Sequence, residues 1–124
     1  EGSQIATSEP PISLTQTTTE RTGTACGGGV VRGLARVIRN PEAEQVGPGE
    51  ILIARHTDPG WISHFANAAA VVAERGSALS HSAIVSRELG IPCVVAVSDA
   101  CSWITSGEMI EVDGSSGRVR KVDV

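Results

Sequence analysis

The chain has 124 residues, 40% hydrophobic and 19% charged, with a formal net charge of −4, two Trp, one Phe and no Tyr. This is the composition of one globular domain whose core is drawn from Val, Ile, Leu and Ala. It argues against a nonspecific nucleic-acid-binding protein, which needs a basic face, and no apolar run reaches the length of a membrane span.

Residues 1–24 are rich in Thr, Ser, Gly and Pro and have scarcely any apolar periodicity, so they are expected to be a flexible linker, with the folded domain at 25–124. Gly27-Gly28-Gly29 leads into Val30–Ile38, where apolar and charged residues interleave as in a strand with one solvated face. No Gly-Lys-Ser/Thr and no helical pattern follow these glycines, which points to a tight bend and not a phosphate loop. After a polar loop bracketed by Asn40-Pro41 and Gly47-Pro48-Gly49, Glu50–Ala54 reads as a short buried strand. His56 stands at its end, where it could approach a site, although a surface role accounts for it as well. Asp58 before Pro59 is an N-cap signal, predicting a helix from Pro59 to about Ala68. Its buried face is expected to hold Trp61, Ile62 and Phe65, with His64 solvated.

Ala69–Ala73 is a continuous small apolar run, as in a central strand covered on both faces. A helix is expected from about His81 to Leu89, stopped by Gly90 and Pro92, and Cys93–Val97 follows as another buried strand. Strand, helix and strand at this spacing form a parallel crossover, which sets the helix N-terminus beyond the carboxyl end of the first strand, where open α/β sheets bind ligands. Asp99–Thr105 reads as a short helical turn with Trp103 buried. Glu108–Val112 and Arg118–Val122 flank Asp113–Gly117 as a hairpin. The pattern is α/β, a mixed sheet with antiparallel parts at both ends and the crossover in the middle. Cys26, Cys93 and Cys101 are odd in number and form no CxxC pair, which fits reduced thiols in a cytoplasmic protein and neither a disulfide framework nor a metal site. The chain opens on Glu1 and its single Met is Met109, so a segment of a longer protein is expected.

The stretch with the most chemistry is Gly76 to Pro92, in which Ser80-His81-Ser82 falls where a turn becomes a helix. A histidine there meets oriented backbone N–H groups and the positive end of the helix dipole. That setting suits an anion on the ring and disfavours a protonated ring, whose ordinary pKa lies near ~6.5. Taken alone, Ser-His-Ser at a helix start is also a plain capping arrangement, with Ser80 capping through its hydroxyl oxygen. A Ser-His hydrolase lacks support, because adjacent residues do not face each other as nucleophile and base and no Gly-x-Ser-x-Gly elbow is present.

Gly76, Ser80-His81-Ser82-Ala83-Ile84-Val85, Arg87 and Gly90-Ile91-Pro92 resemble the phosphohistidine signature of the phosphoenolpyruvate-utilising enzymes. That family includes pyruvate phosphate dikinase, phosphoenolpyruvate synthase, the first enzyme of the sugar phosphotransferase system and rifampin phosphotransferase. Leu79, where the dikinases often have Thr, and Thr57-Asp58-Pro59-Gly60-Trp61 resemble the rifampin phosphotransferase and synthase-like branches; Ser77 replaces the second Gly of the usual pair. The resemblance implies a swivelling three-layer β/β/α domain in which His81 carries a phosphoryl group. Ser80 and Ser82 would contact the phosphoryl oxygens. Arg87, two turns into the helix, would have to reach back to join them, and it could equally pair with Glu88 or Glu74. The family further implies an ATP-grasp domain and an acceptor-binding domain in the same parent chain, with ATP and Mg on those partners and no cofactor or metal on this one. A noncatalytic scaffold domain that keeps the fold is the alternative.

Overall fold

The computed structural model describes residues 19–122. In chain order it contains β1 (Glu20–Thr22), β2 (Thr24–Ala25), β3 (Val30–Val37), β4 (Ile51–Ala54), a 3-10 turn (Pro59–Trp61), α1 (Ile62–Asn67), β5 (Ala70–Ala73), α2 (His81–Leu89), β6 (Cys93–Val95), α3 (Ala100–Trp103), β7 (Met109–Asp113) and β8 (Arg118–Lys121). Neighbouring strands follow the order β1-β8-β7-β3-β4-β5-β6-β2. The middle of that order, β3 to β6, is parallel, and both flanks are antiparallel. The chain thus folds as the mixed α/β sheet with a β5–α2–β6 crossover that the sequence pattern predicts.

Side-chain alternation divides the interior into two cores. Ile51 and Ile53 of β4, with Ala70 and Val72 of β5, face a core completed by Ile110, Val112 and Val119 of the hairpin. Leu52, Ala54, Val71 and Ala73, one residue out of phase, face a second core with Trp61, Phe65 and Ala83 of the helical side. The parallel strands are therefore the middle of three layers, between hairpin and helices, and every residue of β4 and β5 is buried. This is why those segments are continuous apolar runs. Each fully buried Ile or Leu contributes roughly 1.5–3 kcal/mol.

Two long segments close the sandwich by changing partners midway. Val30–Leu34 of β3 pairs with β7, and Ala35–Val37 of the same strand pairs with β4. On the opposite side Glu20–Thr22 pairs with β8, whereas Thr24–Ala25 pairs with β6, with Gly23 between them. The expected linker boundary after residue 24 is corrected here, because Glu20–Thr24 belongs to the sheet. Residues 1–18 of the expected linker lie outside the described residues.

Further differences have local causes. The strand expected to reach Val97 stops at Val95, because Ala96 has φ 60 and turns the chain. The helix expected from Pro59 is a 3-10 turn capped by Asp58, whose carboxylate accepts the Gly60 N–H at 2.9 Å, followed by α1. Its buried face is Trp61, His64 and Phe65, while Ile62 is 58% exposed. His64 is therefore a core residue and not a solvated one. Its Nε2 bonds to the Pro41 carbonyl at 2.9 Å, and its ring packs edge-on to Trp61.

All three cysteines are buried free thiols. Burial pushes the Cys93 and Cys101 thiols up to about 12. Since the thiolate is the reactive form, both should resist iodoacetamide at pH 8 in the folded chain and react rapidly once it is unfolded. Mass-spectrometric alkylation rates with and without denaturant check this; native modification of Cys93 at the unfolded rate would contradict it. Among the described residues no helix is long and apolar enough to cross a membrane.

Candidate functional site

The β5 strand ends at Ala73, and the chain turns through residues 74–80 before α2 opens at His81. Gly76 (φ 130) lies against the Ser80 side chain, and a Cβ at Gly76 would come within 2.8 Å of Ser80 Oγ. Arg87 reaches back along the helix and donates to the Ala78 carbonyl at 3.0 Å, tying the turn to α2. It forms no ion pair with Glu74 or Glu88; Glu74 is taken up by Arg55 and the Cys101 N–H. Gly90, at φ 73, ends the helix in the left-handed conformation that glycine adopts without cost.

Ser80 is the N-cap residue of α2, but its side chain makes no cap bond. Its hydroxyl instead donates to the Ser77 carbonyl at 2.7 Å. This corrects the expected hydroxyl cap. The first-turn N–H groups of a helix have no partner within it, and here no side chain caps them. The helix thus presents oriented donors and the positive end of its dipole beside His81.

The imidazole is fixed from two sides. Phe65 of α1 packs edge-on against it, with ring centroids 5.7 Å apart. Thr57 Oγ1 lies 2.9 Å from His81 Nδ1 and 2.6 Å from Ser82 Oγ. Thr57 and Ser82 are buried, and Leu79, just before the Ser-His-Ser triplet, is 82% exposed. Nε2 has no hydrogen-bond partner among the described residues, so the ring is held through one nitrogen while the other is open.

Of the residues singled out from the sequence, His81 and Ser82 meet in one hydrogen-bonded group. Ser80 braces the preceding turn, and Arg87 secures that turn from behind. Ser82's hydroxyl is engaged by Thr57. Thr57 itself was not assigned a role by the sequence; it lies 24 positions before His81, and the only signal for it is its place at the head of Thr57-Asp58-Pro59-Gly60-Trp61. Among the described residues no group of three or more His, Cys, Asp or Glu converges as a metal site would.

Residues 46–117 match the family described as PEP-utilising enzyme, mobile domain. A probable phosphoenolpyruvate synthase of Staphylothermus marinus is 45% identical over 94 residues, covering 73% of this chain and 11% of that protein. A rifampicin phosphotransferase of Bacillus cereus is 42% identical over 91 residues, covering 73% of this chain and 10% of that protein. A solution structure of Enzyme I superimposes with a TM-score of 0.55 at 28% identity, over 62% of this chain and 32% of that one. The chain therefore spans about a tenth of the length of these curated relatives. The match covers more than half of the sequence and includes the crossover with His81, so the chain belongs to the phosphoenolpyruvate-utilising enzymes, as their mobile domain.

Proposed function

We propose that this domain is the phosphocarrier of a larger phosphotransferase and that Nε2 of His81 takes and releases the phosphoryl group. The observation that carries the reading is the one-sided hold on the ring, Nδ1 on Thr57 at 2.9 Å with Nε2 open at the start of α2. In the neutral ring one nitrogen bears the proton and the other a lone pair. When Nδ1–H donates to Thr57 Oγ1, the lone pair is on Nε2, and the Thr57 proton is free to go to Ser82 Oγ, 2.6 Å away. The hydroxyl pair thus accommodates the tautomer whose Nε2 is nucleophilic and holds the ring in place for it.

In the first step Nε2 attacks the donor phosphorus in line. The N–P bond forms, the P–O bond breaks, and its electron pair leaves on the donor oxygen. In the second step an acceptor oxygen attacks phosphorus, the N–P bond breaks and its electron pair returns to Nε2. One difficult transfer becomes two displacements that share a nucleophile. The uncapped first turn of α2 offers N–H donors, that of Ser82 among them, to the phosphoryl oxygens in the intermediate, whereas the Ser80 N–H is held by the Ser77 carbonyl at 3.0 Å and Ser80 acts by shaping the turn. Donor and acceptor would be held by an ATP-grasp domain and an acceptor domain of the parent, which would bind the ATP and Mg that take part in the transfer. The free thiols suit a cytoplasmic setting.

The test is phosphoryl labelling of the chain by its parent's donor site. One phosphate is expected on His81, attached at Nε2 by 31P–15N NMR, labile to brief acid and stable to alkali. An acid-stable label on Ser80 or Ser82 would overturn the assignment.

A further inference from the structure

Three adjacent parallel strands, β3, β4 and β5, each run at their carboxyl ends into an arginine, at Arg39, Arg55 and Arg75. The register continues past the strands: Ile38 N–H bonds to the Ile53 carbonyl, Glu74 N–H to Ala54 and Arg75 N–H to Arg55. A chain of net charge −4 thus gathers cations on the sheet edge from which the His81 turn departs. Beneath two of them is a cavity of about 320 Å³ lined by Ile38, Arg39, Arg55, His56, Trp61 and Cys101. Its floor is apolar, since Ile38, Trp61 and Cys101 are buried, and its rim is made by the exposed Arg39, Arg55 and His56.

The rim's donors are largely unspent. Arg39 uses Nη2 on the Cys101 carbonyl at 2.6 Å, and Arg55 is ion-paired with Glu74 through Nε at 3.8 Å, a separation that leaves its N–H donors outside hydrogen bonds. Each guanidinium has five N–H donors in a fork that matches an oxyanion. The nearby carboxylates are otherwise occupied. Glu74 accepts the Cys101 N–H, Glu44 accepts those of Arg39 and Asn40, and Asp58 accepts that of Gly60. We propose that this cavity is an oxyanion site that binds phosphate or pyrophosphate, whether free or as the tail of a nucleotide. It is separate from the phosphoryl position on Nε2, because His81 does not line it. The two are joined through the segment His56–Phe65, whose Thr57 and Phe65 hold the imidazole and whose His56 and Trp61 line the cavity.

Titration of the 15N-labelled chain at constant ionic strength tests this, reading the Arg39 and Arg55 Nε–H, the His56 ring and the Trp61 indole. Phosphate and pyrophosphate should give saturable shifts at these groups, with affinity reduced at least about tenfold in Arg55→Gln, which removes a charge-assisted donor. Arg39→Gln should act in the same direction. Dispersed spectra of both variants serve as the folding control. His81→Asn should bind with unchanged affinity, which separates this site from the carrier reading. Similar affinities for pyrophosphate and ATP would place recognition in the phosphates, as proposed. Response to ATP alone would place it in the nucleoside and overturn the oxyanion assignment. Unsaturable shifts, wild-type affinity in Arg55→Gln, or loss of binding in His81→Asn would likewise overturn it, the last by moving the anion to the α2 N-terminus.

Discussion

His81→Asn is expected to reduce phosphoryl incorporation to background, while Thr57→Val slows it by about ten- to a hundredfold and Thr57→Ser restores most of the rate. Asn keeps a polar side chain at the first position of α2 but offers no nucleophilic ring nitrogen, so the covalent step is lost outright. Thr57→Val keeps the shape and removes the hydroxyl that meets Nδ1 at 2.9 Å. It also leaves Ser82 Oγ without its 2.6 Å partner in a buried setting. Losing a hydrogen bond and leaving a buried group unpaired costs roughly 1–3 kcal/mol, or one to two decades in rate if that cost falls on the transition state. The serine variant separates chemistry from shape, because it returns the hydroxyl without the methyl. Labelling rates and melting temperatures of all three variants are the measurements. A labelled His81→Asn protein would place the phosphate elsewhere, and unchanged turnover of the parent carrying that substitution would leave only the scaffold reading. A Thr57→Val protein that labels at the wild-type rate would show that the hydroxyl pair does not prepare the ring.

The parts legible in the sequence are those whose residues act on near neighbours. The crossover shows itself because Ala70–Ala73 is buried on both faces, because His81 opens a nine-residue helix and because Gly90 ends it in the left-handed conformation. The hairpin is legible through the alternation of Met109–Asp113, whose second and fourth residues are buried. By contrast β1 and β2 are held by backbone pairing at the margins of the sandwich, and their side chains are half-buried or exposed. A strand of that kind has no hydrophobic pattern to read, so Thr and Gly pass for a linker. His64 misleads for the opposite reason. It occupies a core position three residues after Trp61 and is satisfied by the Pro41 carbonyl, a partner no helical periodicity reveals. Thr57 is out of reach for a third reason, since its role exists only once β4 and the β5–α2 turn lie side by side.

Gly23→Ala is expected to lower the melting temperature by on the order of 10 °C, a cost of roughly 2–3 kcal/mol for a domain of this size. Gly23 sits where the first described segment passes from β8 to β6, and its N–H bonds to the Gly117 carbonyl at 2.8 Å. A methyl there would run into the Val95 carbonyl and lie 2.7 Å from Val97 Cγ2 and 3.0 Å from Val94 Cγ1. The two valine side chains belong to the core shared by sheet and hairpin. The Val95 carbonyl has no room to retreat, because its strand is paired with β5 on one side and with Thr24–Ala25 on the other. The methyl is therefore accommodated by pushing β2 off β6, which opens the closure between the two layers. Gly60→Ala is the matched control. Its methyl would meet only the Asp58 side chain, at 3.2 Å, and its cost should stay within about 1 kcal/mol, since surface changes away from such contacts are usually small. Thermal unfolding of both variants by circular dichroism makes the comparison. A Gly23→Ala protein that melts with the wild type would mean that β2 shifts freely and that the sandwich is held shut by β3 and the hairpin alone.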